Sequence, residues 1–130
     1  MLPTIERTIT QEIIENYANA SGDFNPIHVN KEFAAESQFG GTIAHGMMVA
    51  AMISEAMMLA FDADWIKSGR LKLRFKAPSF PGDTVATFGH IKSMEVSNQV
   101  QEVKCSVGVK REDGQIVITG EAFVDSHSPS

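Results

Sequence analysis

The chain has 130 residues, of which 43% are apolar and 21% charged, so it can bury one core and is too short for two. Eleven basic against sixteen acidic side chains give a net charge of −5, with no basic run, which argues against nucleic-acid binding. A single cysteine, Cys105, excludes an internal disulfide and a cysteine metal cluster.

The first residues, M-L-P-T-I-E-R-T, lack the charged-then-apolar pattern of a signal peptide, and no apolar run is long enough to span a membrane. A cytoplasmic location is therefore expected.

Residues 4–8 read as a short opening strand. Thr10 is placed to cap a helix, with Ile9 and Ile14 at the spacing of a hydrophobic staple. Ile13, Ile14, Tyr17 and Ala18 form one apolar stripe, and Ser21-Gly22 ends the helix. Ser21 to Val29, S-G-D-F-N-P-I-H-V, follows as a loop. Asn30 then caps a helix expected over Lys31 to Gln38, which Gly40-Gly41 breaks.

A long helix is expected to start between Thr42 and Gly46 and to run through M-M-V-A-A-M-I-S-E-A-M-M-L-A-F to Phe61. It is apolar on nearly every side, the pattern of a helix surrounded by protein. Its five methionines suit an adaptable surface against an apolar ligand, although plain core filling accounts for most of them. After Gly69 the period changes to two. Arg70 to Lys76, Val85 to Met94, Glu102 to Lys110 and Ile116 to Val124 read as four strands of an antiparallel meander, with Asp113-Gly114 closing the last hairpin. The Ser/Pro tail, residues 126–130, is expected to be disordered. The fold expected is α+β, an antiparallel sheet wrapped around one central helix, in a single domain over residues 1–130.

Asp23 and His28 are separated by a bend at Asn25-Pro26, which lets carboxylate and imidazole converge on one water. Alone, Asp23 is equally a turn residue and His28 more often a structural histidine; together they gain weight. His45-Gly46 lies where the central helix begins, and its amides there are unpaired. Gly46, without a side chain, admits a ligand to its amide, as in an oxyanion hole, or simply allows close packing.

S-G-D-F-N-P-I-H-V followed by G-G-T-I-A-H-G-M-M resembles the signature of MaoC-like proteins and (R)-specific enoyl-CoA hydratases. F-K-A-P-S-F-P-G-D-T-V and V-I-T-G-E-A extend the resemblance over roughly Thr8 to Val124. It implies the hot-dog fold, catalytic residues at Asp23 and His28, a thioester-binding amide at Gly46, and a nearby serine at Ser54. Asn25, Pro26 and His45 support the motif. The implied reaction adds water to a trans-2-enoyl thioester, reversibly, without metal or redox cofactor, with Asp23 favoured as base and His28 as orienter and proton donor. The acyl group arrives on coenzyme A or acyl carrier protein, and the implied assembly is a homodimer, which an exposed sheet edge would also favour.

Two other readings compete. A thioesterase of the same fold would use Glu55, the only acid on the long helix. A non-catalytic acyl-thioester-binding subunit would have no need of the Asp23–His28 pair. Lys72, Arg74 and Lys76 are weaker candidates for coenzyme A phosphates, Cys105 reads as inert core, and His90 and His127 have no evident partner.

Overall fold

The computed structural model describes residues 2–127. A five-stranded antiparallel sheet of β1 (Glu6–Thr8), β2 (Arg70–Phe75), β3 (Thr84–Ser97), β4 (Val100–Arg111) and β5 (Ile116–Ser126) has the order β1-β3-β4-β5-β2. Across it lies α4 (Gly46–Phe61), packed on β3, β4 and β5. Val49, Met52, Ile53 and Met57 meet Val85, Val103, Val107, Val109, Ile118 and Val124 in one core. This is the sheet-around-a-helix arrangement that the sequence led to.

The helices α1 (Gln11–Ser21), α2 (Pro26–Val29), α3 (Lys31–Ala35) and α5 (Ala63–Ser68) complete the chain. Local signals place α1 well. The Thr10 hydroxyl accepts from the Ile13 amide, Ile9 and Ile14 are both buried, and Gly22 closes the helix at φ 80°, a left-handed conformation that favours glycine. Asn30 caps α3 through the Phe33 amide, but α3 ends at Ala35 and not at Gln38.

The meander is the main correction. Only β3, β4 and β5 follow one another as hairpins; β2 pairs with β5, from Arg70↔Phe123 to Phe75↔Ile118. The segment between β2 and β3, residues 76–83, carries Pro78 and Pro81 and takes the chain from one edge of the sheet past β5 and β4 to β3, the neighbour of β1. Period-two alternation identifies strands but carries no information on which strands are neighbours. As an edge strand, β2 is largely exposed and its expected apolar face covers only Leu73 well. Its charged flank is partly paired: Arg70 reaches Glu102 and Asp125, whereas Lys72, Arg74 and Lys76 make no ion pair among the described residues.

Two smaller corrections concern α4 and the C-terminal end. The helix α4 is not surrounded by this chain, because Met47, Ala51, Glu55 and Leu59 form an exposed stripe along it. Of the methionines, Met52 and Met57 are core, as the plainer reading held. Ser126 belongs to β5, and His127 meets the Asp64 carboxylate at 3.4 Å, so the tail begins later than expected; its remainder lies outside the described residues. Cys105 is buried, which pushes its thiol pKa up, in keeping with an inert core residue.

Candidate active site

The S-G-D-F-N-P-I-H-V segment folds through its own side chains. The Ser21 hydroxyl accepts from the Asp23 amide, the Asp23 carboxylate from the Asn25 amide at 3.2 Å, and the Asn25 side chain from the Ile27 amide. Asn25 is thus the N-cap of α2, and Pro26 occupies the first turn, where the missing amide costs nothing. This single turn of helix, which the sequence presents only as a loop, carries His28 inward while Asp23 stays exposed on the preceding turn.

His28 is fixed from two sides. Its own carbonyl accepts from Gln11 Nε2 at 2.9 Å, and Gln11 Oε1 accepts from the buried Thr42 hydroxyl at 2.7 Å. Its ring Nδ1 lies 2.8 Å from the Ile43 carbonyl oxygen. A carbonyl can only accept, so Nδ1 carries the hydrogen and Nε2 of the neutral ring is left with a bare lone pair.

Asp23, His28 and His45 each present one ligand-type atom within 4.8 Å of the others. No direct hydrogen bond joins Asp23 to His28 among the described residues. A water making two hydrogen bonds of about 2.8 Å at a tetrahedral angle spans roughly 4.6 Å, so groups within 4.8 Å of one another are within reach of one bridging water. The His28 and His45 rings are stacked, with centroids 3.8 Å apart and planes at 23°, and each ring has one nitrogen at a backbone carbonyl, Nδ1 of His28 at Ile43 and Nε2 of His45 at Asp23.

At the start of α4, His45 stands as N-cap residue yet makes no side-chain cap. Its ring is turned back instead, with Nε2 at 2.9 Å from the Asp23 carbonyl oxygen, and it lies between the rings of His28 and Tyr17. The amides of Gly46 and Met47 donate to no protein acceptor among the described residues. Unpaired amides at the positive end of a 16-residue helix are a site for a developing oxyanion.

Two cavities meet at Gly46. One, of about 310 Å³, is lined mainly by apolar residues, among them Val49, Val117 and Ile118, together with His28. The other, of about 290 Å³, is lined by Tyr17, Ser21, Asp23, His45 and Met47. Gly46 and Phe75 border both. A Cβ on Gly46 would lie 2.9 Å from the Phe75 ring, so the glycine serves close packing as well as leaving its amide open. Sequence reasoning assigned Phe75 and Tyr17 no part in the site. Phe75 gave no signal because its place depends on β2 lying at the sheet edge.

Among the residues expected here, Asp23, His28, His45 and Gly46 converge, with Asn25 and Pro26 beneath them. Ser54 lies elsewhere. Its hydroxyl accepts from Trp65 Nε1 at 2.8 Å, about 12 Å further along the α4 axis, and it lines neither cavity. Glu55 is likewise remote, held by Arg7 through contacts of 2.7 and 3.0 Å on the exposed face. The hydrogen bond from Arg7 lowers its pKa, which keeps it a paired carboxylate.

Comparison with known proteins gives the family and the fold. The MaoC like domain matches residues 2–113. The (R)-specific enoyl-CoA hydratase of Rhodospirillum rubrum is 34% identical over 93% of this chain and 82% of its own length. The 3-hydroxybutyryl-CoA dehydratase of Methylorubrum extorquens is 29% identical over 92% and 74%. Among solved structures, the R-hydratase PhaJ1 of Pseudomonas aeruginosa superposes with a TM-score of 0.83 at 26% identity, covering 99% of this chain and 81% of that one.

Proposed function

We propose, on the premise that the chain belongs to the MaoC-like domain family, that it is an (R)-specific enoyl-thioester hydratase, reversible and so also a 3-hydroxyacyl-thioester dehydratase. The observation that carries the proposal is the convergence of Asp23 and His28, at one-water spacing, beside the open Gly46 amide.

Conjugation with the thioester makes C3 of a trans-2-enoyl chain electrophilic. Water held by the Asp23 carboxylate and by His28 Nε2 donates one hydrogen to each, which leaves an oxygen lone pair for C3. As the C3–O bond forms, the C2–C3 π electrons move toward the carbonyl, and the enolate oxygen takes its charge beside the Gly46 amide. His28 Nε2 takes the water's proton and returns it to C2, so atoms balance and no electrons leave the substrate. The Ile43 bond favours His28 for this shuttle, with Asp23 orienting the water, over the assignment of the base to Asp23 that the sequence suggested. The step runs on these residues without a metal or redox cofactor. The cavity lined by Val49, Val117 and Ile118 suits the acyl chain. Lys76 in its lining, with Lys72 and Arg74 nearby in sequence and without ion pairs among the described residues, suits the phosphates of coenzyme A or of an acyl carrier arm.

Purified protein given crotonyl-CoA is expected to lose the conjugated enoyl-thioester absorbance without releasing thiol. Asp23→Asn and His28→Ala should each lower kcat by about 10²–10⁴-fold. Thiol release would instead favour a thioesterase, a reading already weakened by the position of Glu55. No change with any enoyl chain length would favour a binding subunit.

The same proposal includes a homodimer and a cytoplasmic location. The outer edge of β2 is unpaired, Leu71 and Phe75 on it are exposed, and the bare stripe of α4 carries Met47 and Leu59. A second copy would cover such surfaces. Size-exclusion with light scattering is expected to give twice the 14.2 kDa chain mass, and an active monomer would contradict this.

A further inference from the structure

His45 is tied to both members of the pair and belongs to neither. Within its own turn Asp23 is held only by Ser21 and Asn25, its near neighbours. Its one hydrogen bond to a distant element, among the described residues, is the 2.9 Å contact from its carbonyl to His45 Nε2. A carbonyl accepts, so His45 carries its hydrogen on Nε2. The same ring stacks on His28 at 3.8 Å and adjoins Gly46, so one side chain links the carboxylate turn, the imidazole and the open end of α4.

We propose that His45 is a positioning residue for the hydration step, setting the Asp23–His28 separation from the residue that precedes the open Gly46 amide. The inference rests on the hydratase reading. A purely structural role fits the ring less well. His45 is 2% exposed, and its Nδ1 is buried without a hydrogen-bond partner. A phenylalanine would fill the space between Tyr17 and His28 without burying an unpaired acceptor, a cost that native interiors mostly avoid. What phenylalanine lacks is the Nε2–H that reaches Asp23.

Two measurements test this. A long-range ¹H–¹⁵N spectrum of the wild-type protein should show His45 protonated at Nε2 and bare at Nδ1; the opposite tautomer overturns the proposal. In steady-state kinetics with crotonyl-CoA, His45→Phe should lower kcat about 10–100-fold with KM within about twofold, because misplacement by an ångström costs on that order. His45→Gln, which keeps an N–H donor, should recover part of the loss. A folded His45→Phe protein with wild-type kcat, or equal losses in both variants, overturns it. If His45→Phe does not fold, the spectrum and His45→Gln decide. Wild-type protein that hydrates no enoyl-CoA counts against the hydratase reading, while the tautomer still tests the His45–Asp23 tie by itself.

Discussion

The two ends of α4 solve the same problem in opposite ways. At the far end, Asp62 N–H returns to the Met58 carbonyl, Ser54 satisfies the Trp65 indole, and Trp65 closes over Gly69 so tightly that a Cβ there would lie 2.5 Å from its ring. At the near end, the N-cap residue declines to cap, two amides stay open, and His45 Nδ1 is buried without a partner. Both ends lie against the same sheet and both use a glycine beside an aromatic ring. The difference is that the far end ties its Asp62 amide and its Trp65 indole within the chain, whereas the near end leaves two amides and one ring nitrogen without a protein partner among the described residues. Of these groups only His45 Nδ1 is buried, and a buried polar atom without a partner is costly, whereas the exposed Gly46 and Met47 amides are free to take a ligand in place of solvent.

Of changes at the two ends, closing the near one should have the larger effect. Gly46→Ala places a Cβ 2.9 Å from the Phe75 ring and beside the amide assigned to the thioester oxygen. Phe75 is exposed, so the ring can move and the variant should fold with a melting temperature within a few degrees of wild type. The carbonyl's approach is obstructed all the same. A fall of about 10²-fold in kcat/KM for crotonyl-CoA is expected, on the order of 2.7 kcal/mol of transition-state stabilisation. Unchanged kcat/KM would mean that the glycine serves packing alone and that the two ends are alike.

The contrast between the ends also separates what the sequence disclosed from what it did not. Asp23, Asn25, Pro26 and His28 were legible because neighbours in sequence build that turn: Asn25 caps, Pro26 begins the helix, and His28 follows by geometry. Thr10, Gly22 and Asn30 were legible for the same reason. Contacts made across the fold were not. The pairing of β2 with β5 is decided by how the layers close, and it alone brings Phe75 to Gly46. The bare stripe on α4 was hidden because a helix apolar all round looks the same whether covered by its own chain or by another. The stacking of His28 on His45 links residues 17 apart, at a distance that no local period encodes. Family resemblance supplied Ser54 as a site residue, but not the indole that occupies its hydroxyl here.

Ser54 therefore gives the second test of the comparison, on stability and not on rate. Removing its hydroxyl leaves Trp65 Nε1 without an acceptor in a residue that is 7% exposed. The loss of a buried hydrogen bond with one partner left in place costs about 1–3 kcal/mol, and the small cavity adds little. Ser54→Ala should lower the urea midpoint accordingly, with the slope unchanged. Its kcat/KM with crotonyl-CoA, measured well below that midpoint, should stay within about threefold of wild type, because neither cavity reaches Ser54. Ser54→Thr, which keeps a hydroxyl on the same carbon, should recover part of the stability. A tenfold loss of kcat/KM in Ser54→Ala, with stability intact, would reverse the assignment. It would mean that the Trp65 bond is exchanged for one to the substrate, and that the far end of α4 also belongs to the site.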